Sequence, residues 1–170
     1  FTLHAVTGGG RVIFQHDDRL PKVCLRLLGL GGPLYEADSV RGISGIMATL
    51  LARDTQGRDR AEVAATIEQV GGIFGEFVGN NTFGLSVEVM PDDFPLAVDL
   101  LEEAVLSPAF VPATFERERV AQIAAVKEDL DDIVEFGRKR LRRYFFGDHP
   151  YAFDAYGTEE TLSAITLDQV

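Results

Sequence analysis

At 170 residues, 46% of them hydrophobic, the chain is long enough to bury one core and is expected to form a single domain over 1–170, or most of one. A formal net charge of −11 disfavours nucleic acid as a partner, because binding a polyanion depends on neutralising phosphates with Lys and Arg. No run of about 18 apolar residues occurs that would cross a membrane as a helix, and the single Cys24 excludes an internal disulfide.

A chain that opens on Phe1 is expected to be a mature product or an excised piece. Thr2 to His16 reads as a hairpin turning at Gly8-Gly9-Gly10, since no lysine-bearing phosphate loop follows these glycines. Lys22 to Leu30 reads as a third strand. Val23, Leu25 and Leu27 lie on one face and Cys24, Leu28 and Leu30 on the other, which predicts burial on both sides. Gly31-Gly32-Pro33 ends it. Gly42 to Thr55 carries Ile43, Ile46, Met47, Leu50 and Leu51 at the spacing of an amphipathic helix.

Arg58 to Val70 predicts a second helix, opened by a capping-box variant of Asp59 and Glu62 and stopped by Gly71-Gly72. Ile73–Gly79 and Thr82–Met90 read as strands joined at Asn80-Asn81, residues that tolerate positive φ. Pro91-Asp92-Asp93 is expected to cap a third helix with Phe94, Ala97, Val98, Leu101 and Val105 as its apolar face. A fourth helix spans Thr114–Lys127 and a fifth runs from about Ile133 to Phe146, its second half rich in arginine, which suits the helix dipole. The acidic run Glu128–Asp132 between them lacks calcium-loop spacing and reads as a solvated junction. Thr158 opens a short helix. Thr166 with Gln169 makes a last capping box, yet the chain stops at Val170, so a C-terminal piece of the domain is expected to be missing. The element order predicts an α+β fold, a mixed, largely antiparallel sheet covered by helices.

Gly45, Ala48 and Thr49 form a second, small-residue face on the helix at 42–55. Their spacing is the one H-x-x-E-H uses to put two imidazoles and a carboxylate on one side of a helix. The blocks around it carry a resemblance: Gly29–Glu36, Gly42-Ile43-Ser44, Asp54-Thr55, Glu68–Gly72, Met90–Leu101, His149-Pro150-Tyr151, Gly157-Thr158 and Ile165-Thr166, in order. Together they resemble the pitrilysin/insulinase family of zinc peptidases, which includes the mitochondrial processing peptidase and the core proteins of the bc1 complex.

The resemblance implies one half of a two-half fold enclosing a peptide chamber. It places the zinc-ligand and general-base positions on Gly45, Ala48 and Thr49, with the third ligand on or beside Ala125, so this chain is expected to be inactive and to hold no zinc. Without ligands, these small residues are expected to serve close helix packing. The remaining histidines, His4, His16 and His149, are isolated in sequence and make a poor ligand set. In active relatives a substrate peptide adds as a strand after the GG turn, which here is Phe74-Gly75-Glu76-Phe77. The expected function is therefore a non-catalytic half that completes a peptide-binding chamber with a catalytic partner half bearing H-x-x-E-H and the zinc. The alternatives are a scaffold protein without proteolytic role and an active hydrolase with an unrecognised site.

Overall fold

A computed structural model describes the 170 residues, the side chain of Leu130 apart. β1 (Thr2–Ala5) and β2 (Arg11–Phe14) form an exposed hairpin whose turn has Gly8 at φ 97° and Gly9 at φ 91°. β3 (Val23–Leu30), β4 (Ile73–Val78) and β5 (Thr82–Val89) build a separate antiparallel sheet in the order β3-β5-β4. The alternation of β5 decides which face is covered: Leu85, Val87 and Val89 are buried, and the register sets Leu25 and Phe74 beside Val87 on that side.

Six helices accompany the sheets: α1 (Ile43–Leu51), α2 (Arg60–Gln69), α3 (Phe94–Leu106), α4 (Pro112–Asp131), α5 (Ile133–Phe146) and α6 (Glu159–Ala164). α2 and α3 supply Ile67, Ala97 and Leu100 to a core shared with Val87 and Val89. A second core joins Ile46 and Leu50 of α1 to Phe115 and Val126 of α4 and to Leu162 and Ile165 around the end of α6. The fold is α+β, as expected.

Four local expectations are corrected. The second face of β3 is open, with Cys24, Leu28 and Leu30 exposed, because the helices cover only the other side of the sheet. The core stripe of α3 is Ala97, Leu100 and Ala104, with Leu101 half-buried, while Phe94, Val98 and Val105 are exposed; the sheet chooses a narrower arc of the helix than hydrophobicity does. The β4–β5 turn contains no positive φ at Asn80 or Asn81. α4 continues through Asp131, so most of the acidic run is helical, and Asp132 caps α5 by accepting from the N–H groups of Val134 and Glu135.

The start of α1 is locked against the segment that opens α6. Gly42 has φ 94° and a Cβ there would come within 2.6 Å of the Tyr156 carbonyl oxygen. Gly157 has φ 77° and a Cβ would come within 2.3 Å of the Arg41 carbonyl oxygen. Both the backbone conformation and the approach of two main chains demand glycine. Gly42→Ala and Gly157→Ala are each expected to cost about 1–3 kcal/mol in urea denaturation, whereas Gly137→Ala, on an open helix surface, should be neutral or stabilising.

Candidate functional site

The local sequence before α1 exists to hold its N-terminus. The Glu36 carboxylate accepts from the N–H of Gly42 and of Ser44, both at 2.9 Å, which satisfies donors that a helix end leaves free. Ser44 Oγ accepts from Gly32 N–H at 2.8 Å. Arg41 is buried, donates to the Pro33 carbonyl at 3.1 Å, pairs with Asp38 and lies 3.7 Å from the Phe153 ring centre. α1 is thus fixed at its first turn by the loop at 32–41 and by the segment at 153–157.

This anchoring sets the small-residue face of α1 against α4 and β4. Gly45 and Ala48 are buried and Thr49 is half-buried. Gln122 of α4 lies over Gly45: a Cβ built there would stand 3.1 Å from Gln122 Nε2 and 3.2 Å from Oε1. The Gln122 amide donates to the carbonyls of Gly42 at 3.1 Å and Tyr156 at 2.9 Å. Thr49 Oγ1 donates to Glu76 Oε1 of β4 at 3.3 Å. One turn further along, Arg53 bridges two carboxylates, 3.5 Å from Glu76 and 3.7 Å from Glu118.

Ala125, on or beside which the resemblance put a third ligand, is exposed and lies one turn beyond Gln122 on α4. The α4 residues that face this region are Glu118 and Gln122. They share a helical stripe with the buried Phe115 and Val126, at steps of three and four residues, and that periodicity was readable in the sequence. Nothing local in the sequence marks Arg53 and Glu118, because charged residues at helix spacing look the same whether solvated or paired.

Phe74, Gly75, Glu76 and Phe77 all lie in β4, which is an edge strand of the three-stranded sheet. Phe74 and Glu76 point to the helix side, and Gly75 looks into open space. The free side of this strand therefore runs directly past the Thr49–Glu76–Arg53 cluster. Beyond it, Lys139 bridges Asp129 and Asp154, each at 3.0 Å. Burial opposes the charge of Lys139, but the hydrogen bonds it donates to Asp154 and Asp129, with their charges, outweigh it and raise its pKa. Burial, reinforced by Glu76, Asp154 and Asp129, also raises the pKa of Tyr156, which keeps the phenol protonated.

The histidines do not meet. His4 lies on the exposed hairpin, His16 is exposed beyond it, and His149 accepts from Tyr151 N–H at 3.1 Å to cap a short turn. Among the described residues, no three His, Cys, Asp or Glu side chains converge as metal ligands. A glycine, a threonine and an amide do not make a zinc donor set, so the residues present do not fit that ion.

Comparison with known proteins agrees with this architecture. The insulinase family, peptidase family M16, matches residues 11–158. The chain belongs to that family. An uncharacterised zinc protease of Mycobacterium leprae is 30% identical over 166 residues, spanning 96% of this chain and 37% of that protein. A Helicobacter pylori protein named a non-peptidase homologue is 23% identical over 159 residues, covering 94% and 37%. A solved structure described as an M16 inactive domain from Pseudomonas fluorescens superposes with a TM-score of 0.84 at 23% identity, over 99% of this chain and 41% of that one. This M16 chain therefore spans well under half the length of these relatives.

The Arg53 bridge makes a definite expectation. Its partners are partly shielded, with side-chain exposures of 25% for Arg53, 29% for Glu76 and 11% for Glu118. Arg53→Met should destabilise the domain by about 1–2 kcal/mol, between the surface and the fully buried case. Adding Glu76→Gln to Arg53→Met should recover part of that loss, read as a positive coupling in a double-mutant cycle by urea denaturation.

Proposed function

We propose that this chain is a non-catalytic half of an M16 peptidase, one that completes a peptide-binding chamber with a catalytic half bearing H-x-x-E-H. The observation that carries the reading is the repopulated face of α1. Gln122 fills the space over Gly45, and Thr49 is spent on Glu76, while the helix, its anchor and the neighbouring edge strand are all kept. Zinc belongs to the partner half in this reading. The peptide is held on β4 through Phe74–Phe77, whose main-chain groups accept a new strand without requiring particular side chains.

The metal part is tested by elemental analysis of untagged protein, expected to hold far less than one zinc per chain. Gly45→His, Ala48→Glu and Thr49→His together with Ala125→Glu should confer modest zinc binding. Overpacking will cost roughly 1–3 kcal/mol at each crowded position. Stoichiometric zinc in the parent chain would overturn the reading.

The partner part is tested by mixing the complete protein with an H-x-x-E-H-bearing M16 half from the same source. The pair is expected to cleave peptides that the catalytic half alone handles poorly. Peptides N-methylated at alternate positions should lose affinity, because methylation removes the ladder donors that strand addition uses. Unchanged activity of the catalytic half on adding the partner would favour the scaffold alternative.

A further inference from the structure

Each strand of the β3-β5-β4 sheet carries one glycine within its span: Gly29, Gly84 and Gly75. Glycine inside a strand weakens it and is found where something approaches the backbone closely. For two of the three the neighbour is visible. Gly29 is paired in register with Phe83, and a Cβ built on it would stand 2.9 Å from that ring. Gly84 is paired with Phe77, and its Cβ would stand 2.7 Å from that ring and 2.0 Å from the Leu27 carbonyl oxygen. Once on each face of the sheet, an aromatic side chain of one strand thus lies over the glycine opposite it, an arrangement that makes good the missing side chain.

Gly75 is the exception. Its register partner on β5 is Ser86, and a Cβ on Gly75 would meet nothing within 4 Å. Its φ lies outside the left-handed region, so the backbone does not require glycine either. The space over it opens at the free edge of β4, on the face of the sheet away from the helices, between Ile73 and Phe77. Gly79 N–H donates to the Thr82 carbonyl at 2.7 Å, and the unbroken register carries the same inward bonding in steps of two to Phe77, Gly75 and Ile73. The main-chain groups of Phe74, Glu76 and Val78 are therefore the ones that point to the free edge. A strand added there continues the row Arg26–Ser86–Gly75 with one of its own side chains.

We propose that β4 selects extended peptides bearing Phe, Tyr or Trp at the residue that falls opposite Gly75. This rests on the chamber reading above, in which the peptide adds to β4, and it names the class of peptide that the strand favours. The ring lies over Gly75 with Ile73 and Phe77 as its walls, as Phe77 itself lies over Gly84. Main-chain bonds hold a peptide whatever its sequence, and the notch supplies its register. Sliding the peptide by one residue turns the ring to the helix side, towards Glu76. Sliding it by two sets the ring against Ile73 or Phe77, where a side chain already fills the row.

The complete protein is titrated with fluorescein-labelled peptides of alternating Thr and Ser, each carrying a single central Phe or Ser, and binding is read by fluorescence anisotropy. Phe should tighten binding about tenfold over Ser. A p-benzoylphenylalanine at the same position should crosslink to Ile73 or Phe77 on irradiation. Gly75→Val fills the notch with a good strand former and should abolish the advantage of Phe. An edge that is merely apolar would keep or raise that advantage, since valine adds apolar surface. No binding of any peptide, as when a strand of the complete protein already lies on β4, overturns the chamber reading together with this one. Binding that backbone N-methylation weakens but that is indifferent to Phe overturns this proposal alone, as does an advantage of Phe that survives Gly75→Val. Crosslinks confined to residues away from β4 overturn it independently of how the variant folds.

Discussion

The carboxylate of Glu36 holds the site together. By taking the N–H groups of Gly42 and Ser44, it fixes where α1 begins and which way its residues point. A helix turns 100° per residue, so a shift of one position at the N-terminus would carry Gly45 and Thr49 away from α4 and β4. The buried Arg41 clamp and the approach of Gly42 to Gly157 bind this start to the segment leading into α6. The fold of the M16 half is built around holding one helix face in one orientation.

What now occupies that face is a set of neutral and internally paired groups. Gln122 offers an amide that is fully used on two main-chain carbonyls. Arg53 supplies a cation to Glu76 and Glu118. Two carboxylates in a partly shielded place need compensation, and Arg53, two residues beyond the end of α1, contributes to it. Glu118 is also paired with Arg117, at 3.2 Å. The edge strand beside it keeps its unpaired main-chain groups on the free side of β4.

The chain is strongly acidic, yet five of the six residues from Arg138 to Arg143 on α5 are Lys or Arg. Their roles divide by direction. Lys139 and Arg142 point inward and stitch α5 to the segment at 151–154 and to the β4–β5 turn. Arg138 pairs with Glu135, Arg140 lies over the Phe136 ring and Arg143 over the Phe153 ring.

Much of this was legible in the chain of residues. Turn glycines, the Asp59–Glu62 capping box and the alternation of β5 are local signals, and each fixed its element because it acts within a few residues. The run of family blocks from Gly29 to Thr166 identified the family and its fold. Contacts between distant segments decided the rest. A count of residues along the chain put a third-ligand position on or beside Ala125, which is exposed, and only the packed structure shows that Gln122, one turn earlier on α4, lies over Gly45. Sequence could not say that only one face of β3 is covered, or that the charged side of α5 turns inward. Each depends on what another element presents across the gap, and hydrophobicity along one strand or helix carries no record of its neighbour.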